Sequence, residues 1–224
     1  MAQSGSPLAK LDGVAPPNYA RIERESLCDL LADLGPDQPT LCTGWQTKDL
    51  AAHLIVRERR PDAAAGIMLR PLAGHLARVQ AAVAARPFDQ LVDEVRRPPR
   101  WSPLSSIDAL DRAANTLEFF IHQEDVRRAQ PDWQPRALPR PLSQALWKAI
   151  PGLGRRAVRG FPASVLVVAA GYGQVQTGAG QQLWLTGDPG ELVMFLSGRQ
   201  AASRAEVTGP EELAARLREA KLGI

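Results

Sequence analysis

Two polar residues of a long predicted helix have the spacing of a metal-binding pair. Glu118 and His122 are four residues apart, so their side chains leave one helix face about one turn apart and can reach the same ion. Asp111, Asn115 and Asp125 extend this polar stripe along the same helix. A surface acid–histidine pair is common on helices, so the spacing alone does not establish a site.

A third candidate ligand, His53, lies between Leu50 and Leu54 on an earlier predicted helix. Both leucines are predicted to face the core, so the imidazole is predicted to point toward the interior as well. A single histidine there is usually a packed core residue. Three inward-facing ligand residues on two helices make a stronger case, because helical bundles build metal sites from facing side chains. Two imidazoles and one carboxylate suit zinc, and the same set accepts iron, nickel or manganese.

The elements that would position these ligands form a predicted helical bundle over residues 18–150. Asn18 is predicted to cap a first helix that ends at Gly35, because asparagine is a good N-cap and glycine a good terminator. Thr47 is predicted to start the second helix, which ends before Pro61.

Three more helical stretches complete the predicted bundle before the connector at residues 131–141. The first begins near residue 63 and is predicted to break or kink at Pro71, and a short one covers residues 88–95. The longest runs over residues 106–129, and it has an apolar face that we expect to point to the core. That face consists of Ile107, Leu110, Ala114, Leu117 and Ile121. A further helix is predicted over residues 142–150.

The last part of the chain, residues 151–224, is predicted to be a small α+β domain. Here β-branched runs and glycine turns replace the helical pattern. Asp188 is a predicted N-cap, with proline at the first helical position and Glu191 reaching back in a capping box. The predicted strands are residues 163–170, 173–178, 182–186 and 205–208, and the predicted helices are residues 188–198 and 210–220. Residues 1–17 are predicted to be a flexible N-terminal segment.

Composition is that of a folded protein of the cytoplasm. The 224 residues are 45% hydrophobic and 23% charged, and no apolar run approaches the roughly 20 residues that cross a bilayer. The N-terminus lacks the basic start and apolar stretch of a secretory signal. We therefore expect a cytoplasmic protein without a membrane span.

The only two cysteines, Cys28 and Cys42, are too few for a disulfide framework in a chain of this size. Both are expected to be reduced and buried as small apolar side chains. Cys42 has two alternative roles, as a reactive thiol or as an additional metal ligand.

The formal charge of +3 is distributed among acidic residues and does not form one basic stripe. The densest cluster, residues 96–101, could contact phosphates, but a solvated proline-rich loop explains it equally well. Nucleic acid is therefore not the expected partner. Arginine outnumbers lysine and alanine is abundant, which is typical of proteins from GC-rich bacterial genomes.

Two segments together resemble the DinB-like superfamily. The first is the run from Gly44 to Leu54, with the pattern W-x-x-x-D-L-x-x-H-L, and the second is the run from Glu118 to Ala129, with the pattern E-x-x-x-H-x-x-D-V. Within this superfamily the sequence is most similar to the mycothiol-dependent maleylpyruvate isomerase group, and to an actinobacterial subgroup of uncharacterised proteins thought to bind metal. The resemblance covers nearly the whole chain.

The resemblance implies a mainly α fold, in which a DinB-like four-helix bundle precedes a small α+β C-terminal domain. It implies that His53, Glu118 and His122 are the metal ligands, in agreement with the helix geometry. It also implies that a low-molecular-weight thiol, mycothiol, acts at the metal: a thiolate adds to a conjugated cis alkene, the resulting single bond rotates, and elimination gives the trans product.

Three further residues are candidates for supporting roles. Arg199 is a candidate for binding a substrate carboxylate, as the C-terminal domain of the similar proteins suggests, and Arg57, one turn after His53, has the same potential. Both are equally compatible with a structural role. Asp125 could orient His122 from three residues away. No catalytic acid or base is assigned. The alternative to an isomerase, transferase or detoxification enzyme is a metal-binding or ligand-sensing module without catalysis, and the oligomeric state is not predicted.

Overall fold

The structure is a computed structural model that describes residues 17–67, 69–102 and 106–223. The predicted N-terminal segment therefore lies outside the described residues, except for Pro17. Within the described ranges, the helices lack the combination of length and apolar character that a bilayer span requires.

The first two-thirds of the chain is helical. Its helices are α1 (Tyr19–Leu34), α2 (Thr47–Arg59), the single-turn α3 (Pro61–Ala64), α4 (Ala73–Ala84), α5 (Phe88–Arg96), α6 (Asp108–Arg127) and α7 (Arg140–Ala157). Helix α6 packs along α1, while α1 and α2 both pack against α5. Among the described residues, α2 and α6 are not a closely packed pair, which leaves room for side chains between them.

The C-terminal part is a four-stranded sheet with helices. Its strands are β1 (Ala163–Ala169), β2 (Gly173–Gly178), β3 (Gln181–Thr186) and β4 (Glu206–Thr208), and its helices are α8 (Pro189–Leu196) and α9 (Glu211–Glu219). The strand order is β2-β1-β3-β4, in which β1 and β3 are parallel and both outer pairs are antiparallel. The predicted class, mainly α with a small C-terminal α+β part, is confirmed.

Helix α6 lies between two hydrophobic cores. Phe119 packs in the bundle core with leucines of α1 and α2. The neighbouring Phe120 packs in the second core, which joins α7, the sheet and α8. Two adjacent residues of one helix point in different directions, so α6 positions the bundle and the C-terminal part relative to each other.

Most predicted element boundaries are confirmed. Asn18 accepts a hydrogen bond from the Arg21 amide at the start of α1, and Gly35 ends that helix with a φ of 81°. The predicted break near Pro71 separates α3 from α4. The helix predicted over residues 142–150 is longer, since it begins at Arg140 and runs through Pro151 to Ala157. The predicted domain boundary at residue 150 falls inside this helix.

At the starts of α2 and α8, the hydrogen bonds differ from those that the sequence predicts. Gln46, not Thr47, is the N-cap of α2 and forms a capping box with Asp49, while the Thr47 hydroxyl donates to the Gly35 carbonyl oxygen at 2.5 Å. Before α8, the carboxylate of Glu191 does not reach back to the N-cap but pairs with Arg128 of α6. In both places a tertiary partner outcompetes the local hydrogen bond.

The prediction of which residues of α6 face the core is wrong at the N-terminal end of the helix. Ile107, just before the helix, and Leu110 are 52% and 41% exposed. Asp111 and Asn115 are buried there instead, because Asn18 donates to Asp111 and Asn115 donates to the same carboxylate at 2.8 Å. The polar stripe thus faces the bundle interior.

Candidate metal site

Facing positions of α2 and α6 bring the three predicted ligands together. His53 lies on α2, and Glu118 and His122 lie one turn apart on α6. Leu50 and Leu54 on either side of His53 are buried in the bundle core, which fixes the rotation of α2 and turns the imidazole toward α6. One ligand atom from each of the three residues can be chosen so that all lie within 4.8 Å of one another.

The Oε1 atom of Glu118 is the centre of the cluster. It lies 3.6 Å from Nε2 of His53 and 3.3 Å from Nε2 of His122. Ligand atoms about 2.1 Å from a tetrahedral zinc ion are about 3.4 Å from one another. The donors therefore have the types that suit a metal ion, and both distances from Glu118 to the imidazoles are close to that value.

Neighbouring aromatic rings restrict the two imidazoles. The ring of Trp45 is tilted against His53 with centroids 5.0 Å apart, and the His53 and His122 rings meet nearly edge to face at 5.2 Å. The side chains of His53 and His122 are 11% and 10% exposed, and that of Glu118 is 25% exposed. The cluster is shielded but can be reached from solvent on the Glu118 side.

Asp125 fixes the orientation of His122. Its Oδ2 atom lies 3.0 Å from Nδ1 of His122, so a proton on Nδ1 is bonded to the carboxylate and Nε2 faces Glu118. This arrangement of carboxylate and histidine is typical of metal sites, where it sets the ring tautomer. Asp125 is fully buried.

Arg199 comes from the C-terminal part and holds Asp125 in a two-point pair. Its Nε and Nη2 atoms donate to the two carboxylate oxygens at 2.8 and 2.7 Å, and Nη1 donates to the Ser197 carbonyl oxygen. Burial raises the pKa of Asp125, but the bonds from His122 and Arg199 outweigh it and lower that pKa to about 2. Asp125 is therefore a fixed negative charge at neutral pH.

Cys42, for which the sequence offered a reactive or a metal-ligating role, contacts the carboxylate and guanidinium behind His122. Its sulfur donates to Oδ2 of Asp125 at 3.2 Å and accepts from Nη2 of Arg199 at 3.5 Å. Cys42, His122 and Asp125 could also surround an ion, but the guanidinium of Arg199 already supplies the positive charge there. Because Cys42 lies beside Nδ1 of His122, it is on the opposite edge of the ring from Glu118.

The electrostatics of the ligand cluster favour a charged pair. Burial raises the pKa of Glu118, yet hydrogen bonds from His122 and His53 outweigh it and lower that pKa well below the ordinary value. Burial lowers the pKa of His122, but its bonds to Asp125, Cys42 and Glu118 raise it well above the ordinary value. Burial keeps the pKa of His53 low. Without metal, His122 thus carries the proton and His53 is neutral.

Arg57 places a second positive charge beside Glu118. Its Nε atom is 3.1 Å from Oε1 of Glu118. Nη1 donates to Oδ1 of Asn115 at 2.8 Å and Nη2 to the Ala114 carbonyl oxygen at 3.2 Å. These contacts hold the guanidinium at the edge of the ligand cluster in a fixed orientation.

All six residues singled out from the sequence lie in one region, whereas His75 is elsewhere and contacts Asp62 at 3.1 Å. Sequence reasoning did not foresee the contacts of Cys42 with Asp125 and Arg199 or the packing of Trp45 against His53. The only available signal was that both lie in the loop just before α2, and Trp45 is part of the motif that contains His53. Cys28 is fully buried, as predicted, whereas Cys42, which was also expected to be buried, is only partly buried.

Comparison with solved structures identifies one enzyme with the same architecture. A mutant of mycothiol-dependent maleylpyruvate isomerase, in which one histidine is replaced by alanine, matches with a TM-score of 0.57 at 12% sequence identity, over 88% of this chain and 96% of that chain. This chain has the fold of that enzyme. The enzyme without the mutation matches with a TM-score of 0.49 at 15% identity and the same coverage. The predicted architecture, a mainly α fold with a small C-terminal α+β part, is therefore shared with a solved enzyme structure.

Comparisons at the sequence level give no relative. No family model matches the chain, and no curated protein matches it. The fold is therefore established by structure, and the chemistry has to be argued from the residues of the site.

Proposed function

We propose that this protein binds a divalent metal ion through His53, Glu118 and His122 and uses a low-molecular-weight thiol to act on a small electrophilic substrate. The observation that carries the proposal is the convergence of two imidazole nitrogens on Oε1 of Glu118, at 3.6 and 3.3 Å. Zinc suits this donor set first, with iron, nickel and manganese as alternatives.

The three ligands leave a coordination position for a small molecule. A structural zinc site has four protein ligands, whereas a catalytic one has three. Cys42, the neighbouring sulfur, is engaged by Asp125 and Arg199 on the far edge of His122 and does not complete the set. When bound, the ion would lower the pKa of a thiol or water in that position.

Asp125 and Arg199 act as positioning residues in this proposal. Asp125 holds the proton on Nδ1 of His122 and so presents Nε2 as a ligand. Arg199 keeps Asp125 ionised and in place, and it ties this support to the C-terminal part. The prediction that Arg199 binds a substrate carboxylate is less well supported than a positioning role, because two of its nitrogen atoms already bind Asp125.

Arg57 is the better candidate for contact with an anionic substrate. Each of its three nitrogen atoms has one protein partner, and a guanidinium has five N–H groups, so two N–H groups remain to donate. It lies beside the ligand cluster with a side chain that is 22% exposed. A substrate carboxylate bound there would be held next to the open coordination position.

The name of the structural neighbour suggests which molecules to test first. That enzyme is a mycothiol-dependent maleylpyruvate isomerase, and the proposed site offers an open coordination position for a thiol and the Arg57 guanidinium for a carboxylate. We therefore propose mycothiol as the thiol and isomerisation, transfer or detoxification as the reaction class.

The test is a titration of cobalt-loaded protein with mycothiol, followed by an assay with maleylpyruvate and other electrophiles. Cobalt(II) reports a new sulfur ligand through its visible absorption. We expect mycothiol to change the spectrum and turnover to require both metal and thiol. The variant H53A/H122A should show neither effect, whereas His75→Ala, a histidine outside the site, should behave like the wild type.

Two results would contradict the proposal in different ways. Metal that binds stoichiometrically, but whose spectrum is indifferent to mycothiol and which supports no turnover, would indicate a metal-binding or sensing module without catalysis. Cobalt that binds equally to H53A/H122A would show that the ligand set itself is wrong.

A further inference from the structure

A cavity of about 770 Å³ lies on the side of α6 opposite the metal ligands. Phe120 and Glu124 of α6 and its C-cap residue Arg128 line it. They have a spacing of four residues and lie on the face that points away from Glu118 and His122. Its other walls are the segment 135–138 and the region where β1 and β3 end and α8 begins. Sites for small molecules typically have roughly 300–1,000 Å³, so the cavity has the size of a ligand site.

The buried floor of the cavity is an ion-pair network whose members have partners. Arg128 donates to Glu124 at 2.6 Å and to both carboxylate oxygens of Glu191 at 2.7 and 2.8 Å. Arg136 donates to Glu124 at 2.7 Å and to Glu23 at 2.6 Å. These groups are neutralised by one another, so the floor requires no charged ligand.

The rim of the cavity, which consists of Asp188, Arg204 and Glu206, differs from the floor. Its charged side chains make no ion pairs among the described residues. Arg204 is exposed, and its guanidinium lies 5.0 Å from the centre of the Trp133 ring, without a hydrogen bond or ion pair among the described residues. Asp188 is the N-cap residue of α8, as predicted, but its side chain makes no capping hydrogen bond. Glu206 is the β4 partner of Thr186 at the end of β3. Both carboxylates are exposed, and within the described ranges neither has an ion pair.

The rim therefore presents one free cation and two free anions around a cavity with an aromatic wall, which includes Phe120 and Tyr172. A ligand with only an anionic group would leave the two carboxylates without a partner, and a ligand with only a cationic group would leave Arg204 without one. A molecule that carries a carboxylate and an ammonium group satisfies both, and hydrogen bonds between ionised partners are the strong ones.

We propose that this cavity is a second binding site, for a small zwitterion such as an amino acid. The ligand carboxylate pairs with Arg204, its ammonium group with Asp188 and Glu206, and its side chain packs against Phe120. The site is separate from the metal chemistry and does not depend on it.

The test is calorimetric titration of the full-length, metal-loaded protein with each of the standard amino acids. We expect saturable binding of at least one of them. Its N-acetyl derivative lacks the ammonium group and its decarboxylated amine lacks the carboxylate, so both should bind at least about 10-fold more weakly, which corresponds to about 1.4 kcal/mol.

Substitutions of rim residues test whether the amino acid binds at the rim. Arg204→Gln and Glu206→Gln should each weaken it by a similar factor, while the matched changes Arg216→Gln and Glu212→Gln on α9, outside the cavity, should not. The proposal is overturned if no standard amino acid binds, if the amine or the N-acetyl derivative binds as tightly as the parent, or if the rim variants bind like the wild type. Metal content in the same samples shows whether the metal site is intact, so failure here is distinguishable from failure of the proposed function.

Discussion

Helix α6 buries charged side chains on two faces, and the partners of the two faces differ. On the ion-pair face, Glu124 receives hydrogen bonds from three arginines and Arg128 binds Glu124 and Glu191. On the ligand face, made by Glu118, His122 and Asp125, a single oxygen of Glu118 is shared by two imidazoles and one guanidinium. Arginine keeps its proton, whereas an imidazole can exchange its proton for a metal ion.

Burial and charge therefore do not by themselves mark a functional site. The ion-pair face is closed, because its acids are matched by permanent cations that join the bundle to the C-terminal part. The ligand face also contains two permanent cations, Arg57 and Arg199. It differs in that the imidazole of His122 can lose its proton, and we propose that a metal ion takes the place of this proton. The comparison predicts that the ion-pair face governs stability and that the ligand face governs metal binding.

The largest expected effect on stability comes from breaking the ion-pair face. Arg128→Leu leaves the buried carboxylate of Glu191 without its two-point partner, and removing one member of a buried pair costs about 3–5 kcal/mol. We expect chemical denaturation to show a loss of this size, while metal content per folded molecule stays unchanged. The control Arg97→Leu removes an exposed pair with Asp93 and should not shift the midpoint measurably. If Arg128→Leu instead lost metal but kept its free energy of unfolding, the ion-pair face would govern metal binding and not stability, which would contradict the comparison.

A smaller effect, on metal affinity, is expected when Asp125, which orients His122 on the ligand face, is changed. Asp125→Asn keeps the shape of the side chain but removes the charge that holds the proton of His122 on Nδ1. Partners of this kind typically contribute about 10–100-fold to metal affinity. Competition with a chromophoric chelator should show a loss in that range. An unchanged affinity would mean that Asp125 serves only to bind Arg199.

The pH dependence of metal binding should identify His122 as the proton competitor. Its pKa is raised in the metal-free protein, so its proton has to leave at neutral pH before Nε2 can bind an ion. His53, whose pKa is lowered, has no proton to lose there. Affinity should therefore rise with pH through the raised pKa of His122.

Calorimetry in buffers of different ionisation enthalpy measures this proton directly. We expect about one proton released per ion near pH 7. Proton release close to zero would show that His122 is neutral in the metal-free site.

The smallest effect is expected at Cys42. A serine can keep the hydrogen bonds to Asp125 and Arg199, so Cys42→Ser should change metal affinity less than Asp125→Asn does. If Cys42 is instead a metal ligand, the same competition assay would show a loss larger than that of Asp125→Asn, and the cobalt spectrum would lose its sulfur band before any thiol is added.

The sequence predicted the architecture well where local signals decide it. The cap at Asn18, the stop at Gly35 and the strands predicted from β-branched runs and glycine turns depend on neighbouring residues, and the structure confirms them. The predictions failed where a distant partner decides. Glu191 was assigned to a local capping box, but a buried arginine from another helix binds it more strongly. Ile107 was assigned to the core because it is apolar, although α1 covers the polar side of that turn.

The three ligand candidates were predictable because helical spacing and the two motifs both point to them. The rest of the site was not, since it is assembled over long distances in the chain. In the sequence, Arg199 is 74 residues from Asp125, and Cys42 is 83 residues from Asp125. Sequence spacing carries no information about such contacts, so the engagement of Arg199 with Asp125 and the position of Cys42 became visible only in the fold.

Elemental analysis of the purified protein beside the H53A/H122A variant tests the central claim most directly. The account predicts about one divalent ion per chain in the wild type and none in the variant, with both proteins folded by circular dichroism. An ion retained by the folded variant, or a wild type that takes up no ion from zinc, iron, nickel or manganese, would contradict it.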